Sequence, residues 1–202
     1  MFNVFTPTGS YPPIINIGDQ YQGGVVAYIF QPGDPGYVAG EQHGLIISDL
    51  TPPLVTDGGS TCWPSGYPWT TRNILPMINM PGLSVDIGTG QSNTTTIVTV
   101  NSYGVSVCTY DPAKLCDTYT SNGYSDWYLP SLNELTAIGA NRASLPDWGN
   151  GYQYLWCSTQ YNQDNAYIVD TVDNSTTITL KWGNSIGPPF GLFGRYRPVR
   201  TF

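Results

Sequence analysis

Apolar positions along this chain come in short runs rather than in long periodic faces. Gly23-Gly24-Val25-Val26-Ala27-Tyr28-Ile29-Phe30 is β-branched and aromatic, bounded by glycines and by Pro32-Gly33, and reads as a strand. Gly44-Leu45-Ile46-Ile47-Ser48 follows a polar loop and reads as its antiparallel partner. Both are continuous apolar runs, as in a buried sheet. Four more strands are predicted at Tyr154-Leu155-Trp156-Cys157-Ser158, Ala166-Tyr167-Ile168-Val169, Thr176-Thr177-Ile178-Thr179-Leu180 and Tyr196-Arg197-Pro198-Val199-Arg200.

Two helices are predicted between these groups. Asp111-Pro112 starts one, with proline at the first helical position, running to about Tyr119. Ser131-Leu132-Asn133-Glu134 is a capping box that opens the other, with Leu132, Leu135 and Ile138 on one face. Strands, then helices, then strands predict an α+β fold with an antiparallel sheet, two helices and long irregular loops. Residues 1–17 read as an extended N-terminal arm, through Thr6-Pro7-Thr8-Gly9 and Tyr11-Pro12-Pro13, ahead of one domain over 18–202. Residues 51–92 read as irregular, a length that usually marks function.

Composition narrows the function. Only 10% of residues are charged, yet 15 Tyr, 6 Trp and 6 Phe exclude a disordered chain. The net charge of −7 gives no cationic footprint for nucleic acid. No run approaches the roughly 20 apolar residues of a membrane helix, so no membrane insertion is expected. The start, Met1-Phe2-Asn3-Val4-Phe5, does not read as a secretory leader. The surface is expected to be nearly neutral and rich in Asn, Ser, Thr, Tyr and Gly, the residue types that dominate antibody paratopes. Four cysteines, Cys62, Cys108, Cys116 and Cys157, allow three full pairings or four thiols. Cys108 and Cys116 would close a short loop worth at most ~2–3 kcal/mol.

Five segments, in this order and spacing, carry a resemblance. They are Ile17-Gly18-Asp19 with Gly23-Gly24-Val25; His43-Gly44-Leu45-Ile46; Gly88-Thr89-Gly90 with Asn93-Thr94; Asp126-Trp127-Tyr128-Leu129-Pro130-Ser131 with Glu134-Leu135; and Trp156-Cys157-Ser158-Thr159 with Ala166 and Arg197-Pro198-Val199-Arg200. Over roughly residues 17–202 the chain resembles the Lcl C-terminal (DUF1566) domain family, which has a C-type-lectin-like fold. It is also similar to the variable proteins of diversity-generating retroelements. The resemblance implies that the termini meet in one sheet with two helices packed on it. It also implies that residues 159–196 carry the ligand-binding positions: Tyr161, Asn162, Asp164, Asn165, Tyr167, Asn174, Trp182, Asn184 and Tyr196. The sequence departs from the family at Cys157, where a serine is usual, and in the apolar loop 187–194.

Candidate chemistry is sparse. The Glu-Pro-Asn and Trp-Asn-Asp triplets of calcium-dependent lectins are missing, and Asp164, Asp170 and Asp173 are too scattered for a calcium motif. No cofactor is expected, and a structural calcium ion stays an alternative without a motif behind it. The single histidine, His43, reads as a structural or turn residue. The two glutamates are Glu41, in a polar loop, and Glu134, in the capping box. Cys62-Trp63-Pro64-Ser65-Gly66 lacks the arginine of a formylglycine target. Trp127, Leu129 and Trp156 are expected in the core, and the terminal arginines are expected to pair with carboxylates such as Asp126 or to stack on tyrosines.

The expectation is a non-enzymatic adhesion module on the exterior of a phage virion, as a tail or head-fibre receptor-binding protein. Its partners would be a cell-surface glycan or protein receptor, and other virion proteins through the arm and loop 187–194. A homo-oligomer is expected. The alternatives are a capsid-decorating or minor virion protein and a bacterial surface or extracellular adhesin, with an enzyme of the formylglycine-generating type more remote.

Overall fold

The computed structural model describes residues 13–49, 79–102, 111–149, 153–181 and 194–202. The cysteines Cys62 and Cys108, the site candidates Trp182 and Asn184, residues 1–12 of the arm and most of loop 187–194 lie outside them. The described chain is α+β. It contains β1 (Gln20–Tyr21), β2 (Gly24–Ile29), β3 (Gly44–Ser48), α1 (Gly90–Ser102), α2 (Pro112–Asp117), α3 (Leu132–Ala140), β4 (Tyr154–Gln160), β5 (Asn165–Asp170), β6 (Thr176–Leu180) and β7 (Val199–Thr201).

Two antiparallel sheets form instead of one. The first runs β1-β2-β3-β7, so strands from near both ends of the chain share it; the second runs β4-β5-β6. Gln22 and Gly23, both with positive φ, close the two-residue β1–β2 hairpin. That geometry is the primed turn matching the twist of the flanking strands. A bulge interrupts the β2–β3 register between Val26 and Tyr28. The carboxamide of Asn141, at the end of α3, donates to the Ala27 carbonyl there.

The continuous apolar runs have a simple cause. Val25, Ala27, Leu45 and Ile47 face one hydrophobic cluster, while Val26 and Ile46 face another on the opposite side of the same sheet. The second sheet is covered twice as well. Leu155, Cys157 and Val169 pack toward α3 and the first sheet, whereas Trp156, Ala166 and Ile168 pack toward α1 and α2. The segment Trp127-Tyr128-Leu129 joins all three clusters, since its consecutive side chains enter a different one each. Only 1–3% of each side chain is exposed.

Both expected helices form. Asp111 caps α2 by accepting from the Lys114 amide at 2.8 Å, and the helix ends two residues short of Tyr119. Ser131 and Glu134 close the capping box of α3. The expected count of two is nevertheless corrected to three among the described residues. Helix α1 was hidden by its own sequence, because Thr and Val crowd the preceding turn and disfavour helix. Within the helix, Thr95, Thr96 and Thr99 satisfy their hydroxyls by donating to carbonyls four residues earlier.

Cys116 and Cys157 are buried free thiols, and Cys108, the other end of the expected short loop closure, lies outside the described residues. Residues 13–17 of the arm lie on the domain, where Ile15 exchanges two backbone hydrogen bonds with the Gln42 carboxamide.

The C-terminal arginines divide the labour. Arg200 grips Asp126 through two bonds of 2.7 and 2.8 Å, and its guanidinium lies 4.1 Å from the centre of the Tyr124 ring. Pairing and stacking thus occur together. Arg197 is fully buried and donates to the carbonyls of Ser48, Asp49 and Asp147. Burial pulls its pKa down to about 10. Arg197→Met removes the guanidinium donor from those carbonyls and is expected to cost on the order of 3 kcal/mol in urea unfolding. Arg197→Lys should rescue only part of this, since an ammonium cannot reproduce the planar fork.

Candidate functional site

The turn before α1 and the segment leading into α3 meet around one buried carboxylate. Glu134 is 0% exposed. It accepts from the amides of Gly88 at 2.9 Å and Ser131 at 2.8 Å, and from the Tyr128 hydroxyl at 3.4 Å. A Gly90 amide bond adds to these. Gly90 opens α1 and Glu134 sits in the first turn of α3, so two helix N-termini face one negative charge. No side chain fits at Gly90, because a Cβ there would collide with the Glu134 carboxylate and the Tyr128 ring. Beside this hub, Thr94 exchanges hydrogen bonds with the backbone of Leu129, and Asn93 donates to Ser158. Ser158 in turn donates to the Pro130 carbonyl. Despite its hydrogen bonds, burial pushes the Glu134 pKa up.

The candidate ligand residues fall into three groups. Tyr161, Asn162, Asp164, Asn165 and Tyr167 come together at the β4–β5 turn and the start of β5. Tyr161 is 54% exposed and meets Tyr167 edge-on, with ring centres 5.6 Å apart. The Asn162 carboxamide oxygen accepts from the amides of Asp164 and Asn165 and from the Asn165 side chain, at 2.8–3.0 Å. This Asx-type turn fixes the backbone of the tip. Ile178, opposite Tyr167 on β6, is also exposed and extends the apolar surface.

Asn174 is elsewhere, at the β5–β6 turn. Its side chain donates to the Thr136 carbonyl, anchoring that turn to α3 in a left-handed backbone conformation. Tyr196 is 2% exposed and packs with Trp156 and Ile168, and Arg195 and Arg197 beside it are buried too, so it does not share the exposed tip.

The other reactive side chains have structural duties. His43 has two acceptors for its two ring nitrogens: the Phe202 carbonyl, 3.1 Å from Nδ1, and Glu41, 3.0 Å from Nε2. Asp170 accepts from Gln153 and the Val172 amide, and Asp173 from the Ser175 amide. No group of three or more His, Cys, Asp or Glu side chains suited to a metal ion occurs among the described residues.

One further feature has no signal in the sequence. An open cavity of about 350 Å³ lies between the end of β2, the start of α1 and the end of β7. Phe30, Tyr128 and Phe202 give it aromatic walls, and His43, Gln91 and Thr201 add polar groups. Nothing in the spacing of these residues announces it, because they come from five separate segments. No protein-family model matches this chain, and no curated protein matches it.

The hub makes stability pH-dependent. The folded state holds the Glu134 proton more tightly than the unfolded state, so this residue's contribution is most favourable below pH 4.5 and is lost as pH rises through the folded pKa. Asp126 acts oppositely: Arg200 holds its pKa below 3.8, so its contribution is present above that pH and fades as pH falls through the folded pKa. The Asp126 carboxylate is 48% exposed and its effect is screened. Glu134→Gln is expected to flatten the decline above pH 4.5 in urea-denaturation midpoints. At pH 7 it should also cost about 1–3 kcal/mol, because an amide NH2 then faces backbone donors.

Proposed function

We propose that this protein is a non-enzymatic recognition module with a C-type-lectin-like fold, binding an external glycan or protein receptor through the tip at residues 159–167. The observation that carries the reading is the pre-organised aromatic tip. Tyr161 is exposed, braced edge-on by Tyr167, and mounted on a turn held by Asn162. An ordered aromatic side chain loses little conformational freedom on binding, which favours affinity.

Two further features support the fold part of the proposal. Strands from near both ends of the chain share one sheet. The segments carrying the family resemblance also contact one another directly, through Thr94–Leu129, Asn93–Ser158, Gly88–Glu134 and Arg200–Asp126. The setting we propose is the exterior of a phage virion, with the chain as a homo-oligomeric receptor-binding component. Low charge and abundant Tyr and Asn suit an exposed recognition protein.

Whole-cell and glycan-array binding tests the tip. Tyr161→Ala should weaken binding at least roughly tenfold, as loss of a central aromatic contact does, without lowering the unfolding midpoint. Asn162→Ala, which frees the turn and leaves both tyrosines, should weaken it by a smaller factor. Binding unchanged in both variants would move the contact surface away from this tip and toward a virion neighbour.

A further inference from the structure

We propose that the cavity walled by Phe30, Tyr128 and Phe202 is a second, independent ligand site that takes a neutral polyhydroxylated ring, such as the pyranose of a glycan. The choice of a sugar rests on the recognition reading above; the site itself does not involve the tip.

Size comes first. About 350 Å³ is the low end of small-ligand pockets and suits a single ring better than a peptide segment. Three aromatic side chains from three separate segments line it; Phe30 and Tyr128 are only 7% and 3% exposed, so the half-buried Phe202 supplies most of the apolar surface on which the C–H face of a sugar packs. The polar groups decide the class. Tyr128 already donates to Glu134, and His43 is held by Glu41 and the Phe202 carbonyl. Gln91 and Thr201 are exposed, and their side chains make no hydrogen bond among the described residues. The groups left for a ligand are thus one carboxamide and one hydroxyl, both neutral and both able to donate and accept. Neighbouring sugar hydroxyls need that combination. Among the described residues lining the cavity there is no Lys or Arg to hold an anion, and His43 and Tyr128 each contact a carboxylate, Glu41 and Glu134.

The site is built into the scaffold. Gly88, with φ of +84°, brings the turn before α1 against Pro35, where an added Cβ would lie 3.1 Å from the proline ring. The same Gly88 donates its amide to Glu134. The wall of the cavity and the hub of the fold therefore share one turn.

Saturation-transfer NMR on the full chain tests the proposal, using methyl glucoside, galactoside, mannoside and N-acetylglucosaminide. Tetramethylammonium and phenol serve as cationic and purely apolar probes. At least one glycoside should bind saturably. A Gln91→Ala/Thr201→Val variant, altering two exposed side chains, should weaken it roughly tenfold. The inference is overturned if no glycoside binds, if only tetramethylammonium or phenol binds, or if glycoside binding survives the cavity variant. Glycoside loss in Tyr161→Ala alone would also overturn it, while leaving recognition through the tip intact. Conversely, glycoside binding at the cavity with cell binding indifferent to Tyr161→Ala would support this site and contradict the tip.

Discussion

A carboxylate taken wholly out of water is costly unless hydrogen-bond donors surround it, and the fold is organised around one such group. Glu134 gathers amides from the turn before α1 and from the cap of α3, together with the hydroxyl of Tyr128. The Ser131 amide and the Tyr128 hydroxyl, both on buried residues, would lose this acceptor without the carboxylate. The arrangement fixes how two helices approach each other and where Tyr128 sits. From Tyr128 the chain reaches Trp127 on one side and Leu129 on the other, and so touches every hydrophobic cluster. A chain with few charges has few long-range constraints, and this one concentrates them at Glu134, Arg197 and the Arg200–Asp126 pair.

Much of the scaffold was legible because its signals are local. The capping box at Ser131, the aspartate–proline start of α2 and the apolar strands β2 and β3 each declare themselves within a few residues. Trp127, Leu129 and Trp156 read as core, and they are core. Helix α1 did not declare itself, because tertiary contacts at Asn93, Thr94 and Ile97 outweigh the poor propensity of its threonines and valines. The division of the strands into two sheets was equally hidden. It depends on long-range pairing, which no local pattern encodes.

The candidate surface was legible in part. Five proposed residues share the tip, since a turn between two strands brings sequence neighbours together. Asn174 and Tyr196 did not join them, for different reasons. Asn174 serves the opposite turn of the hairpin, and Tyr196 belongs to a segment whose two faces are both covered. Alternation along a strand tells which residues share a face, but not whether that face meets solvent. The cavity shows the converse, a surface assembled from residues too far apart in sequence to be read together.

The central claim is that a rigid scaffold presents the tip at residues 159–167 to a receptor. Hydrogen exchange, measured on the full chain with and without the strongest-binding array glycan or receptor preparation, tests it most directly. The account predicts new protection at the amides of 160–167, with the Glu134 hub equally protected in both states. Protection appearing elsewhere, with the tip amides unchanged, would contradict it.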